Sequence, residues 1–239
     1  MIKNLLPRTL PAIALALLPA LATAVPADAV QAPVASTAPV AFHTRAQAPL
    51  LLPEAVERLP VADEQREGYK RELYKHWNKG LNPTDGCNTR AEVILSEAVV
   101  APTVEPGCKL TGGEWYSYYD GVVVASASGL DVDHIVPLAE VHDSGGYAWT
   151  PERREAYAND QNSPLTLVAV TAKSNRAKGD KDPADWLPPL NGPVHCRYAS
   201  EWVSTKLRWN LAADEREHDA LARIAQNCTT TEVPYESAP

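Results

Sequence analysis

The chain has 239 residues, a mass of 25.9 kDa and a formal net charge of −8, with 45% hydrophobic and 22% charged residues. This length accommodates one ordinary domain of about 150–200 residues plus a terminal segment. The composition excludes global disorder, and the acidic balance excludes a uniformly basic nucleic-acid coat. A local basic surface is still compatible with it, since steering of a ligand depends on the distribution of charge.

The first 29 residues have the pattern of a secretory signal peptide. Lys3 and Arg8 precede a short apolar run, and small residues then offer cleavage sites near Ala24 or Ala29. Pro7, Pro11 and Pro19 argue against a buried N-terminal helix. We therefore expect a secreted, extracellular protein whose mature chain has no segment that spans a membrane.

Residues 30–55 are rich in Ala, Pro and Val, which predicts a flexible spacer. The folded domain is then expected over residues 56–230, followed by a tail at 231–239. We expect its secondary structure in chain order as helices at 62–78 and 90–100, an irregular or hairpin segment at 101–121, strands at 122–125 and 130–135, a helix at 151–159, a strand at 165–170, a short helix from Thr171 to Gly179, and helices at 202–209 and 214–227.

Four cysteines in an exported chain favour two disulfides. Three pairings are possible, and we favour Cys87–Cys108 and Cys196–Cys228 because each pair flanks one local segment. A four-cysteine zinc site is disfavoured because no two cysteines have the C-x-x-C spacing.

Polar residues around the 130–135 strand and the short helix after Thr171 fit phosphodiester hydrolysis. This reaction needs a base for water and neutralisation of phosphoryl charge. His134 can exchange protons near neutral pH, while Asp133 and Asn175 offer oxygen ligands for Mg²⁺. The other histidines, such as His76, have no partner pattern and are interpreted as surface or packing residues.

The short helix also carries basic residues. Asn175 and Lys178 share a helix face, so Lys178 is expected beside the metal, in contact with a phosphate. Lys173 and Arg176, with Lys178 and Lys181, form a local basic strip suited to nucleic acid.

The sequence Asp-His-Ile-Val-Pro at 133–137, followed by Asn162 and by Asn-Arg-Ala-Lys at 175–178, resembles the HNH (ββα-metal) endonucleases. The similarity is closest to secreted bacterial proteins with a DHxVP-type motif, the DUF1524-like group, and extends over most of residues 60–228. It implies an α+β, mainly helical single domain around a ββα-metal core at about 130–186, stapled by two disulfides.

The resemblance also implies a role for each matching residue. Asp133 and Asn175 would be the ligands of one divalent ion, Mg²⁺ or alternatively Mn²⁺, and His134 would be the general base. Asn162 would brace the loop between the strands. Apart from the resemblance, Arg90 has two equally good readings, a phosphate contact or an ion pair with a nearby carboxylate such as Glu92. The last His of the family pattern is Asn here, and Asn still offers a ligand oxygen.

One geometric difficulty accompanies these roles. Adjacent residues of a regular strand point to opposite faces, so Asp133 and His134 would serve one phosphate only if the strand bends or bulges. Asp131 is open to two readings, a carboxylate that supports the ligands or an exposed residue.

The sequence thus predicts a secreted, metal-dependent endonuclease of low sequence specificity that acts on DNA in preference to RNA. Its oligomeric state is open, with a monomer favoured. The alternative is a non-catalytic exported module that binds nucleic acid or cell wall on the same scaffold. A zinc-dependent hydrolase is a weaker third reading, because nitrogen and sulfur ligands are few.

Overall fold

The computed structural model describes residues 49–239 and has the expected α+β class. The predicted signal peptide and most of the spacer lie outside the described residues. Within them, no helix is both long and apolar enough to cross a membrane. The helices are α1 (Leu52–Glu57), α2 (Thr89–Ser96), α3 (Leu138–Asp143), α4 (Pro151–Ala158), α5 (Ala172–Lys178), α6 (Pro193–Trp209) and α7 (Glu215–Ala225). The strands are β1 (Leu50–Leu51), β2 (Thr103–Glu105), β3 (Lys109–Thr111), β4 (Trp115–Ser117), β5 (Val122–Val124), β6 (Leu130–His134), β7 (Leu167–Thr171) and β8 (Glu232–Val233).

A ββα unit lies at the centre of the domain. Strands β6 and β7 pair antiparallel in a continuous register from Leu130 opposite Thr171 to His134 opposite Leu167. The long connection between them holds α3 and α4, and α5 follows β7 directly. Thr171 ends the strand and caps α5, because its side chain accepts a hydrogen bond from the backbone N–H of Ser174.

The main hydrophobic core forms around α6 and is built from tyrosines, tryptophans and aliphatic residues. Tyr198 and Trp202 of α6 are fully buried there, together with Tyr119 and Tyr157 from other elements. A second, smaller core lies between α2 and the outer face of the β6–β7 pair. The two cores hold β6 from both sides, so the side chains of this strand are fixed in position.

Both expected disulfides are present. Cys87 is bonded to Cys108, and Cys196 to Cys228. In the usual entropic account, closing loops of this length stabilises a domain by about 3–4 kcal/mol each.

The predicted domain limits are too narrow at both ends, because described strands lie both in the expected spacer and in the expected tail. Strand β1 lies in the expected spacer and pairs antiparallel with β8, which lies in the expected tail. Val233 is fully buried, and the backbone N–H of Ala238 donates to the carbonyl of Arg208. Two-residue strands give almost no periodic signal, and only the tertiary fold brings these distant segments together.

The predicted helix at 62–78 is also wrong. This segment contains only one 3₁₀ turn, Arg71–Leu73, and its Trp77 has a φ of 61°. The spacing of Tyr69, Leu73 and Trp77 suggested a helical face, but Leu73 is exposed, so the three side chains do not line one buried surface.

Most other expected elements are confirmed with shifted ends. Thr150 caps α4 and Asp214 caps α7 through hydrogen bonds to backbone N–H groups. The helix expected at 202–209 is longer and begins at Pro193. Helix α3 has no counterpart among the expected elements.

Candidate active site

Strand β6 divides the predicted site between its two faces. Its pairing with β7 is regular through Asp133 and His134, without the bulge that would bring both side chains to one side. The side chains of Asp131 and Asp133 meet α5, whereas the ring of His134 meets Trp77 and Tyr157.

Asp133 lies in a buried ion pair. The Lys178 ammonium is 2.9 Å and 2.8 Å from the two carboxylate oxygens, and the Tyr119 hydroxyl donates to the same carboxylate at 2.6 Å. Lys178 also donates to the carbonyl of His134 at 2.8 Å and has no exposed surface. Burial raises the pKa of Asp133 and lowers that of Lys178, while their mutual attraction opposes both shifts. The predicted phosphate contact of Lys178 is therefore wrong, since its ammonium does not reach the surface.

Asn175 contacts Asp131 and not Asp133. Its amide nitrogen donates to the Asp131 carboxylate at 3.2 Å, and the Arg176 guanidinium lies 3.5 Å from the same oxygen. Asp131 is partly exposed, so this small cluster is at the surface. Of the two readings of Asp131, the structure supports the carboxylate that contacts a site residue.

The imidazole of His134 is held between two aromatic rings. It stacks on Trp77 at a centroid distance of 5.4 Å and on Tyr157 at 6.0 Å. Its Nε2 lies 3.0 Å from the carbonyl oxygen of Ala158, which can only accept, so Nε2 carries the proton and Nδ1 carries the lone pair. Burial lowers the pKa of His134 to about 3, an effect strengthened by the nearby His76 and Arg71. The imidazole is therefore neutral at physiological pH.

The segment that carries Trp77 is tied to the end of α4. Asn159 accepts a hydrogen bond from the backbone N–H of Asn78 and donates to the carbonyls of Lys75 and Glu155. These bonds flank Trp77, whose positive φ is unfavourable for a bulky residue and persists only where its surroundings enforce it.

The predicted bracing role of Asn162 is performed by its neighbours. Asn162 is exposed, and its side chain makes no hydrogen bond within residues 49–239. Asn159 binds the backbone groups described above, and Asp160 accepts hydrogen bonds from Thr166, Arg208 and the backbone N–H of Asn162. The family resemblance pointed to Asn162, but the side chains that hold this loop lie two and three residues earlier.

The three predicted nucleic-acid contacts lie apart from the His134 ring. Arg90 donates to the carbonyl of Leu130 at 2.8 Å, so its guanidinium joins α2 to β6. Lys173 and Arg176 are exposed on α5, which packs on the opposite face of β6 from the imidazole.

The residues expected to hold a metal do not fit a divalent ion between them. Both Asp133 oxygens already face the Lys178 ammonium, and the Asn175 amide is directed at Asp131. In the described part of the chain, two groups of acidic side chains are close enough together to share one ion. Both groups contain Glu64, and neither contains Asp133. Asp133 and Asn175 are therefore not positioned to share one divalent ion.

Sequence reasoning missed four contributors to this site: Tyr119, His76, Trp77 and Asn159. The rings of His76 and His134 lie edge to face at 6.2 Å, and His76 also contacts Trp77. The available signal was two adjacent aromatic residues within a basic stretch, a pattern that predicts no contact with a strand more than fifty residues away.

Comparison with known proteins gives two findings. Residues 71–224 match the sequence profile of the family described as "GmrSD restriction endonucleases, C-terminal domain". The chain is also 37% identical over 163 residues to an "Uncharacterized secreted protein" of Arthroderma benhamiae, a match that covers 68% of this chain and 77% of the relative. No solved structure matches the chain.

Proposed function

Because the chain belongs to the family of GmrSD restriction endonuclease C-terminal domains, we propose that it is a secreted endonuclease that hydrolyses phosphodiester bonds of nucleic acid. His134 is the general base in this proposal. The assignment of the fold to the narrower bacterial DHxVP group stays a prediction.

The single observation that carries the proposal is the state of the His134 imidazole. A base that activates water needs a neutral ring with a fixed tautomer and an unprotonated nitrogen. The Ala158 carbonyl fixes the tautomer, and burial keeps the ring neutral. Within residues 49–239, no group hydrogen-bonds Nδ1, so this nitrogen is available to a water molecule.

The chemical step follows from this geometry. Nδ1 of His134 takes a proton from water as the water oxygen forms a bond to phosphorus. The bond between phosphorus and the leaving oxygen breaks, and that oxygen keeps the electron pair. The ring can accept this proton only while it is neutral, and Trp77 and Tyr157, which limit its hydration, help to keep it neutral.

Dependence on Mg²⁺ or Mn²⁺ stays a prediction from the sequence. Because Lys178 neutralises Asp133, a divalent ion bound by Asp133 and Asn175 would require the Lys178 ammonium to leave. The proposal therefore assigns the base to His134 independently of any ion.

Export of the protein is supported by three separate features. The sequence begins with a signal-peptide pattern, the fold contains two disulfides, and the Arthroderma benhamiae relative is named as a secreted protein. Nucleic acid outside the cell is then the expected substrate, with DNA favoured over RNA.

The test is a nuclease assay on the purified secreted chain. Supercoiled plasmid and a structured RNA are each incubated with Mg²⁺, with Mn²⁺ and with chelator. We expect nicking of the plasmid by the parent and loss of nearly all activity in His134→Ala, with the far-UV circular dichroism unchanged. Cleavage by His134→Ala at the parental rate would disprove the role of the base.

A second candidate is the non-catalytic binding module, and the Asp133–Lys178 ion pair favours it. A carboxylate that is buried and neutralised by an ammonium is a structural group and not an open ligand. This candidate predicts that the parent retains DNA on a filter yet cleaves neither substrate under any of the three conditions.

A further inference from the structure

Among the aromatic rings and hydrogen-bond partners of His134 in the described residues, the half-buried ones belong to one segment. Of its neighbours in the described residues, Tyr157 and Ala158 are fully buried, whereas His76 and Trp77 are partly exposed. The side of His76 and Trp77 is therefore the more open side of the imidazole among these neighbours.

This same segment is strongly basic. Between residues 70 and 79 the chain has four positive charges against the single negative charge of Glu72, in a protein whose net charge is −8. The basic side chains are all exposed: Lys70, Arg71, Lys75 and Lys79. Within residues 49–239, Lys75 makes a long ion pair of 3.5 Å with Glu155, and the other three make none.

The segment is also held firmly in place. The backbone N–H of Asn78 donates to Asn159 and its side-chain amide donates to Glu155, while Asn159 donates to the carbonyl of Lys75. The left-handed backbone at Trp77, which costs on the order of 1–2 kcal/mol in a non-glycine residue, is maintained by these contacts. Strain that is enforced from both sides is typical of functional sites.

From these observations we infer that residues Lys70–Lys79, the basic segment, are the surface on which the phosphate backbone of a nucleic acid lies when it reaches His134. The inference rests on the proposed function and specifies how that site recognises its substrate. Unpaired cations attract the polyanion, and the wall formed by His76 and Trp77 directs one phosphodiester to the imidazole. The strip on α5 that the sequence suggested lies on the other face of β6.

The experiment measures binding without cleavage. Fluorescence anisotropy with labelled 20-nucleotide DNA and RNA strands, in chelator and over a range of NaCl concentrations, gives the affinity and its salt dependence. In the triple variant Lys70→Gln, Arg71→Gln, Lys79→Gln we expect binding weakened about tenfold. The slope of log affinity against log salt should fall by about 2, since each lost phosphate contact removes about 0.7 for a single strand.

A matched control separates this surface from net charge. The variant Arg58→Gln, Lys109→Gln, Arg223→Gln removes the same charge from exposed sites elsewhere and should bind as the parent does. Equal weakening in both triple variants, or parental binding by the basic-segment variant, would overturn the inference. Weakening by Lys173→Gln, Arg176→Gln, Lys181→Gln instead would assign the surface to α5 and overturn it as well.

The outcomes also separate this inference from the proposed function. If the parent cleaves and the basic-segment variant binds normally, the proposed nuclease activity stands and the basic segment is not the binding surface. If the parent binds through the basic segment but never cleaves, the proposed nuclease activity is refuted and the basic segment remains the binding surface. Preference between the DNA and RNA strands identifies which polymer supplies the phosphate backbone.

Discussion

The Lys178 ammonium lies within 2.9 Å of both carboxylate oxygens of Asp133, and neither side chain has more than a few per cent of its surface exposed. This pair joins α5 to β6 at the position where the sequence suggested a metal. It neutralises the buried Asp133 carboxylate on the α5 face of β6, whereas the ring of His134 lies on the opposite face.

Breaking this pair should strongly destabilise the fold. Lys178→Met leaves the Asp133 carboxylate buried without its partner, and such losses cost about 3–5 kcal/mol. In Asp133→Asn combined with Lys178→Met no charge is left uncompensated, so the double variant should lose less than the two single variants together. Urea unfolding of the four proteins measures this coupling.

The exposed Lys173 of the same helix provides a control for that experiment. Lys173→Met should change the free energy of unfolding by less than about 0.5 kcal/mol. Equal effects at Lys173 and Lys178 would contradict a specific buried pair.

The pH dependence of hydrolysis should report the unusual pKa of His134. Because burial lowers this pKa to about 3, the base form is present at all pH values well above 3. We therefore expect kcat/KM to show no increase with pH around 6.5, the ordinary value for histidine. A tenfold rise per pH unit below 6.5 would show that the catalytic base has an ordinary pKa.

Glu97 should make the stability of the protein decrease as pH rises. Burial raises its pKa to about 7, and both carboxylate oxygens accept from the backbone N–H of Ala169 at 3.1 Å. The folded-state pKa of Glu97 exceeds the unfolded value of 4.5. The stabilisation that the protonated Glu97 contributes to the free energy of unfolding is therefore complete below pH 4.5 and is lost as pH rises through 7. The loss amounts to about 3 kcal/mol.

Glu97→Gln tests this contribution directly, because glutamine keeps an acceptor for Ala169 and cannot ionise. Between pH 4.5 and 8, the free energy of unfolding of the parent should fall relative to that of the variant. Parallel pH profiles of the two proteins in urea titrations would contradict the raised pKa.

Asn159 and Asn162 form a matched pair for the bracing role. Asn159→Ala removes three hydrogen bonds that hold the backbone on both sides of Trp77, each worth about 1 kcal/mol, so we expect a loss of about 3 kcal/mol. Asn162→Ala should be nearly neutral, because its exposed side chain makes no hydrogen bond in the described residues. Thermal unfolding compares the two, and the reverse order would restore the original assignment to Asn162.

Much of this protein follows from local signals in the sequence. The strand at Leu130–His134, the helices that begin after Thr150, Thr171 and Asp214, and the two disulfides follow from short-range patterns, which the structure confirms. The helical spacing of Asn175 and Lys178 is of the same kind, because helix geometry places residues three apart on one face. The Asp-His-Ile-Val-Pro motif at 133–137 is also a local pattern, and it predicted membership of a nuclease family.

Only the tertiary structure decided which groups these patterns bring together. The sequence placed Asp133 and Asn175 around one ion, but packing of α5 gave Asp133 to Lys178 and Asn175 to Asp131. The tertiary structure also brings the basic segment next to His134, although more than fifty residues separate them in the sequence. A side chain takes the partner that compensates its burial, and that partner depends on contacts between distant segments, which periodicity and spacing do not encode.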